Sequence, residues 1–216
     1  MTLDAWRERC LEFVERRMDG DPAHDVLHVK RVLTNTLYLT EKENVNEWIT
    51  IPSACLHDCV SVPKDSPLRN EASGLAADEA VRFLGKSGFP AQYLDDIHHA
   101  IEAHSFSANI TPRTTEARVV QDADRLEALG AIGIARCMLT AGNLGSALYS
   151  PDDPFCERRP PDERGYAIDH FYTKLLGLPA TMQTDAGRTE AKRRVTYMRA
   201  YLEELRGEIE IRPSDF

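Results

Sequence analysis

Apolar side chains recur every three to four residues along almost all of this 216-residue chain, which is the spacing that one face of an α-helix requires. No segment alternates apolar and polar residues with the period of two that a half-buried β-strand shows. We also find no internal repeat. The pattern therefore predicts an all-α fold, with a single helical domain over residues 1–206 and a loosely held C-terminal tail over residues 207–216.

Glycine, proline and short polar runs interrupt the pattern and divide the chain into predicted helices. These helices cover residues 3–17, 22–43, 47–59, 71–86, 90–104, 115–140, 164–176 and 185–206. Two connecting segments are long, namely 60–70, which holds Pro63 and Pro67, and 142–161, which is rich in Gly, Pro, Asp and Ser. The first lies directly after His57-Asp58, where loops commonly contact ligands, and the second is predicted to be an irregular excursion.

The composition is that of an ordinary globular protein, with 42% hydrophobic residues and a mean hydropathy of -0.41. No apolar stretch approaches the roughly 20 residues needed to cross a bilayer, and the first nine residues lack the layout of a signal peptide. We therefore expect a cytoplasmic protein with no membrane association. The net charge of -9 argues against broad nucleic-acid binding, which needs a basic surface. It is compatible with a small phosphorylated substrate, because a bound metal reverses the local field.

A histidine-aspartate pair, His57-Asp58, follows directly on the apolar run 51–56. A charged residue after such a run needs a partner or a cation. Cys55 and Cys59 flank the pair at helical spacing, so a thiolate metal site is one alternative. However, the chain has five scattered cysteines, no secretory signal and no CxxC pattern, which favours reduced thiols over disulfides or a zinc site.

A second histidine pair lies upstream. His24 and His28 are four residues apart, so on a helix they share one face with Arg31. Such a pair is also common at surface and core positions that have no metal-binding role. Its interest comes from the amphipathic helix around it and from the His-Asp pair further along the chain.

Two aspartates, Asp122 and Asp124, interrupt a core-facing helical pattern downstream. They diverge by about 200° on a helical wheel, so we do not expect both to bind one ion. In one interpretation an aspartate pairs with Arg118 or Arg125 at the surface. In the other, one aspartate supplies the last carboxylate of a metal site. Two imidazoles and two carboxylates suit a divalent transition metal, which makes water a nucleophile near neutral pH.

In their order and combination, these segments resemble the HD-domain superfamily of metal-dependent phosphohydrolases. The matching runs are His24–Val32, His57-Asp58 and Ala123–Leu126. Residues 120–133, 103–107 and 170–176 are similar to the YedJ/YpgQ-type bacterial branch of that superfamily. The resemblance extends from about Trp6 to Arg206 and implies that the single domain is an HD-domain helical bundle.

The resemblance implies a ligand set for one divalent cation per chain, made of His28, His57, Asp58 and Asp124. Asp122 would then be a supporting or structural group, although the reverse assignment of the two aspartates stays open. Superfamily members use Mn, Mg, Fe, Zn, Co or Ni, and a mixed nitrogen and oxygen set does not choose among them. Asp58 is in addition a candidate for orienting the attacking water.

The resemblance also favours His99 and His104 as phosphate binders or proton donors that face the pocket. A role in capping the helix end, or in a second metal site, is the alternative for histidines in this segment. The candidate groups for binding the substrate phosphate are His24, Lys64, Arg69 and Lys174. Surface lysines are abundant, so each of these assignments rests on its position in the chain.

The activity implied by the resemblance is hydrolysis of a phosphoester or phosphoanhydride of a small substrate, foremost a nucleotide, including triphosphates cleaved to release pyrophosphate. Cys59-Val60-Ser61 stands where cyclic-di-nucleotide phosphodiesterases carry Gly-Lys after the His-Asp pair, and the Gly-Tyr-Pro extension of that class is missing. Two other hypotheses are an HD-type iron oxygenase and a non-catalytic nucleotide-binding module. A homodimer is a further hypothesis that these residues do not decide.

Overall fold

The computed structural model describes residues 1–17, 26–62, 66, 69–105 and 108–210. Its α-helices are α1 (Leu3–Glu15), α2 (Val26–Glu43), α3 (Glu47–Leu56), α4 (Ala72–Lys86), α5 (Leu94–Glu102), α6 (Thr115–Leu126), α7 (Gly130–Leu144), α8 (Asp169–Thr173) and α9 (Asp185–Glu210). Three 3₁₀ segments lie at Arg69–Glu71, Ala91–Tyr93 and Leu175–Thr181. The described residues form no β-strand beyond one isolated bridge between Ala147 and Tyr166, so the prediction of an all-α fold is confirmed. None of the described helices is both long enough and apolar enough to span a membrane.

The chain divides into two compact units. The first consists of Met1–Glu127 together with Gln183–Gly187, and the second consists of Ala128–Met182 together with Arg188–Phe216. The single domain over residues 1–206 stays a prediction, because compact units of this kind occur within one domain as well as between two. Helix α9 continues to Glu210, and residues 211–216 lie outside the described part, so the loose tail also stays a prediction.

Helix α3 lies at the centre of the first unit, where it contacts α1, α2, α5 and α6. Asn46 caps its first turn, and every residue from Ile49 to Leu56 is buried. A helix that is apolar all round is the kind that packs inside a core. It ends three residues before the predicted end at Cys59, so His57 and Asp58 lie at its C-terminal end.

Two buried amide side chains fix α6 to its neighbours. Asn35 of α2 donates its Nδ2 hydrogen to the carbonyl of Ala123, at 3.1 Å. Gln121 of α6 donates its Nε2 hydrogen to the carbonyl of Ala103 at the end of α5, at 2.6 Å. The two hydrogen bonds join α2, α5 and α6 close to the residues singled out by their chemistry.

The prediction of one continuous helix over residues 115–140 is wrong. The chain leaves the helical conformation after α6, with Leu129 extended (φ -122°, ψ 159°) and Gly130 at φ +71°, and then begins α7. Gly133 packs so closely that a Cβ there would lie 2.3 Å from the Ala128 carbonyl oxygen. Only a glycine at residue 133 permits this close approach.

The prediction of a helix over residues 164–176 is also largely wrong, because only α8, at Asp169–Thr173, is α-helical there. The buried Asp169 carboxylate accepts two hydrogen bonds from Arg159 and one from the backbone N–H of Asp162. These bonds hold Arg159 and Asp162 in a loop, and just before α8 the backbone N–H groups of Ala167 and Ile168 donate to the carbonyls of Ala147 and Leu148. A carboxylate used in this way gives the loop an alternative to helical hydrogen bonding.

Candidate metal centre

The first ligand candidate, His57, takes its orientation from the end of α3. Its imidazole is fully buried, and Nδ1 lies 2.8 Å from the carbonyl oxygen of Ala54. Carbonyls in the last turn of a helix have no partner within the helix, so Nδ1–H donates to this one. The other ring nitrogen, Nε2, therefore presents its lone pair to the side of the ring that faces α2.

His28, on α2, faces His57 across a buried interface. The two Nε2 atoms are 3.3 Å apart, and the rings meet edge to face with their centroids 5.3 Å apart. Two imidazole lone pairs at that distance repel each other unless a proton or a cation lies between them. This arrangement is the first indication that the pair is built around a positive charge.

Two carboxylates complete the group. Asp58 Oδ2 lies 3.6 Å from His57 Nε2 and 3.8 Å from His28 Nε2. Asp124 Oδ1 lies 3.5 Å from His28 Nε2 and 4.0 Å from His57 Nε2. Donor atoms held at about 2.1 Å from one ion are roughly 3 to 3.4 Å apart. The observed spacings are slightly wider, so a small inward movement would bring the four groups into coordination distance.

The fit to a cation is best for His28, His57 and Asp58, whose ligand atoms all lie within 4.8 Å of one another. Both imidazoles are almost fully buried, whereas the side chains of Asp58 and Asp124 are about 30% exposed. A cation in this group would therefore be enclosed on the histidine side and open to solvent on the carboxylate side. Two nitrogens and two oxygens with an open side form the donor set of a hydrolytic metal site.

The protonation preferences of the group favour a bound cation. Burial lowers the pKa of His57, which keeps its imidazole neutral. Burial alone would raise the pKa of Asp58, but His57, His104 and His28 outweigh it and hold that pKa well below its ordinary value. The same three imidazoles lower the pKa of Asp124. Neutral imidazoles and ionised carboxylates are the forms that bind metal.

His104 adjoins the group from the end of α5. Its Nε2 atom is 3.6 Å from Asp58 Oδ1, and its Nδ1–H donates to the carbonyl of Ile101 at 2.6 Å. Burial opposes protonation of the ring, but the adjacent Asp58 carboxylate outweighs it and raises the pKa of His104. The contact of His104 with Asp58 Oδ1 therefore favours the protonated form of this imidazole.

The two aspartates of α6 have different surroundings, as their helical spacing predicts. Asp122 is fully buried and accepts hydrogen bonds from the backbone N–H groups of Gln183 and Thr184 and from the Thr184 hydroxyl. Asp124 faces the two imidazoles instead. This geometry supports Asp124 as the last ligand and gives Asp122 the task of anchoring the segment before α9.

The comparisons with known proteins agree with this geometry. The model of the HD domain family matches residues 26–129, the part of the chain that holds all four ligand candidates and His104. Over 195 residues the chain is 34% identical to the uncharacterized protein YpgQ of Bacillus subtilis strain 168, covering 88% of this chain and 87% of that protein. The chain belongs to the HD-domain superfamily.

Solved structures extend the match over nearly the full length of this HD protein. The crystal structure of Bacillus subtilis YpgQ in complex with ADP has a TM-score of 0.75 at 32% identity, covering 97% of this chain and 98% of that chain. An HD-superfamily hydrolase from Bacillus thuringiensis has a TM-score of 0.77 at 30% identity, covering 98% and 100%. The predicted membership of the superfamily is therefore confirmed.

The remaining predicted site residues of this HD domain are placed as follows. His99 is buried, accepts the backbone N–H of Arg113 on Nε2 and lies 2.9 Å from Glu102 through Nδ1. Both of its ring nitrogens are thus taken up, which does not support the prediction that it faces the substrate. Lys174 follows α8 in the second unit, where its positive charge adds to the hydrogen bonds from His170 and Thr173 that lower the pKa of Glu163.

The other three predicted phosphate-binding groups stay predictions. Residues His24 and Lys64 lie outside the described part of the chain, and Arg69 is described only as the first residue of a 3₁₀ turn. The thiolate alternative receives no support, because the group of described side chains that could hold an ion contains His28, His57 and Asp58 and no cysteine. Burial raises the pKa of Cys59 to about 12, so its sulfur stays protonated, and it donates a hydrogen bond to the Ala76 carbonyl.

One residue of this HD domain that the sequence did not single out lies directly behind His28. Glu127 Oε2 is 3.5 Å from His28 Nδ1 and accepts a 2.7 Å hydrogen bond from Arg31 Nε. The available signal was its spacing, since Glu127 follows Asp124 by three residues and Arg31 follows His28 by three. Two i,i+3 pairs on facing elements indicate two parallel contacts.

Proposed function

We propose that this protein is a metal-dependent phosphohydrolase that cleaves a phosphoester or phosphoanhydride bond of a small substrate, foremost a nucleotide. The observation that carries the proposal is the convergence of His28, His57, Asp58 and Asp124 from three helices on one partly open point. Their nitrogen and oxygen atoms lie 3.5–4.0 Å apart across the group.

Four residues of the site would bind the cation, and His104 would transfer a proton. The two imidazoles and two carboxylates would hold one divalent cation, of a metal that the donor set does not specify among Mn, Mg, Fe, Zn, Co and Ni. When bound, such a cation activates water near neutral pH and polarises a phosphoryl oxygen. Asp58 orients the water through its exposed edge, and His104, which holds a proton on Nε2 beside Asp58, donates it to the leaving oxygen.

A nucleotide is the substrate class that the comparisons favour. The similar Bacillus subtilis YpgQ has been crystallised in complex with ADP, and the substrate phosphate would meet cationic groups that offset the overall charge of -9. We propose His24, Lys64, Arg69 and Lys174 for that task, and His99 as a further contact. Release of pyrophosphate from a nucleoside triphosphate is the reaction to test first.

The decisive experiment combines metal analysis with a nucleotide panel assayed for phosphate and pyrophosphate, comparing wild type with Asp58→Ala. We expect the variant to lose both bound metal and turnover, while its helical circular-dichroism signal is retained. The loss should exceed the roughly 10- to 100-fold decrease that follows when a group supporting a ligand is removed. Asp78→Ala is the matched control, because Asp78 is an exposed aspartate that pairs with His98.

Three results would contradict the proposal. Equal turnover by wild type and Asp58→Ala would remove the metal group from the reaction. Oxygen uptake with Fe(II), without release of phosphate, would indicate the iron oxygenase. Tight nucleotide binding that survives EDTA, with no product over hours, would indicate a binding module.

A further inference from the structure

An ion pair between α2 and the end of α6 lies behind the candidate metal centre. Glu127, the residue that follows α6, accepts a hydrogen bond from Arg31 Nε at 2.7 Å. The same carboxylate oxygen is 3.5 Å from His28 Nδ1. Glu127 is 2% exposed, whereas the Arg31 side chain is about one-third exposed.

Arg31 and Glu127 lie about one helical turn beyond His28 and Asp124 on the same two elements. His28 and Arg31 are three residues apart on α2, and Asp124 and Glu127 are three residues apart at the end of α6. Residues at this spacing lie on the same face. The Glu127 backbone N–H also bonds to the Asp124 carbonyl at 2.9 Å, so the position of Glu127 is fixed relative to that of the ligand candidate.

The carboxylate of Glu127 lies buried between two donor groups, 2.7 Å from Arg31 Nε and 3.5 Å from His28 Nδ1. A charge buried this deeply is costly unless partners compensate it. Arg31 provides the compensation on one side, which leaves the carboxylate available to the imidazole on the other.

His28 needs such a partner because of its place in its helix. His57 and His104 lie at C-terminal helix ends, where free backbone carbonyls accept their Nδ1–H groups. His28 is the third residue of α2, and the N-terminal end of a helix offers free N–H groups in place of free carbonyls. An acceptor for the Nδ1–H of His28 must therefore come from another element.

We propose that Glu127, held by Arg31, is the positioning residue for His28: it fixes the Nδ1–H tautomer and ring orientation that direct Nε2 at the cation. The inference rests on the proposed metal-dependent function. Glu127 would affect the cation only through its ligand His28. A carboxylate behind a metal-binding histidine also increases the basicity of the ligating nitrogen. The 3.5 Å distance is long for a hydrogen bond, and contacts of this kind tighten when the site is loaded.

The test compares Glu127→Gln and Glu127→Leu with wild type in binding of Mn(II), measured by calorimetry, and of Co(II), followed by its visible absorption. The Gln variant keeps an acceptor oxygen without the charge, and the Leu variant removes both. We expect metal affinity to fall in the order wild type, Gln, Leu, by roughly 10- to 100-fold in total, with a changed Co(II) spectrum in the Leu variant.

Glu79→Gln is the matched control, because Glu79 is also buried and is also held by arginines, at 2.7 Å from Arg17 and in contact with Arg82. A purely structural role for Glu127 predicts that Glu127→Gln and Glu79→Gln lower the thermal midpoint of the metal-free protein and leave Mn(II) affinity unchanged. That result would overturn the inference. So would equal losses of Mn(II) affinity in these two variants.

The outcome separates the two proposals. If wild type binds Mn(II) or Co(II) and Glu127→Leu binds it equally well, the positioning role is wrong and the metal centre stands. If wild type binds neither metal, and His28→Ala behaves as wild type does, both proposals are wrong. Retained metal binding in wild type with graded loss across the two Glu127 variants supports both.

Discussion

At the scale of single residues, two aspartates only two positions apart have different surroundings. Asp124 contacts imidazoles and has a side chain that is 29% exposed. Asp122 is fully buried and accepts three donors from Gln183 and Thr184. Replacing each carboxylate by an amide of the same size separates binding from folding.

We expect Asp124→Asn to lose metal affinity while its metal-free thermal midpoint stays close to wild type. We expect Asp122→Asn to keep the metal and to lower the free energy of unfolding by about 1–3 kcal/mol, because buried N–H groups lose a charged acceptor. Denaturant titration and metal analysis of both variants provide the measurement. The opposite pattern would make Asp122 the ligand.

The sequence made most of this residue-scale division predictable. Residues two apart on a helix point in divergent directions, so the spacing predicts that both aspartates do not bind one ion. The resemblance to the HD motif, in which the aspartate follows alanine, favoured Asp124 and left the reverse assignment open. The contacts of Asp124 with His28 and His57 support that choice. Glu127 was not predictable in the same way, because its role depends on the distance between two elements and on His28 lying near a helix N-terminus.

At the scale of elements, the break between α6 and α7 rests on a close backbone approach. A Cβ at Gly133 would lie 2.3 Å from the Ala128 carbonyl oxygen, whereas a Cβ at Gly142, in the same helix, would meet nothing within 4 Å. These two glycines therefore form a matched pair for substitution by alanine.

We expect Gly133→Ala to lower the free energy of unfolding by roughly 1–3 kcal/mol, because the added methyl group is overpacked against backbone. Gly142→Ala should raise it by about 0.5–1 kcal/mol, since alanine is the better helix former. Urea denaturation of both variants gives the comparison. Equal stability of the two would mean that the contact at Ala128 relaxes without cost.

Periodicity predicted where helices form, because amphipathic faces must pack, but it did not predict where they stop. The apolar pattern continues through residues 126–134, so the break at Leu129 and Gly130 left no interruption in hydrophobic spacing. Similarly, the residues before α8 looked helical, but Ala167 and Ile168 donate their backbone N–H groups to the carbonyls of Ala147 and Leu148. Tertiary hydrogen bonds decide both cases.

At the scale of the whole molecule, a bound cation would link metal concentration to stability. A ligand present at 100 times its dissociation constant stabilises the folded state by about 2.7 kcal/mol. We therefore expect Mn(II) to raise the thermal midpoint of the wild type, EDTA to reverse the shift, and Asp58→Ala to show no shift. A midpoint that does not respond to any divalent metal would contradict the metal centre.

The same shift should depend on pH with a defined sign. Protons compete with a cation for imidazole nitrogens, and burial lowers the pKa of His57, so this residue stays available until the pH falls below its ordinary value of about 6.5. The metal-induced shift should be complete at pH 7.5 and should decline only as the pH falls below about 6.5. Thermal melts across this range, with and without Mn(II), measure it.

The backbone carbonyls of Ala54 and Ile101 have a last consequence. They hold the rings of His57 and His104 through Nδ1, so the orientation of both rings is set by the backbone of their own helix ends and does not depend on which cation binds. Exchanging one divalent ion for another should leave these two side-chain conformations unchanged.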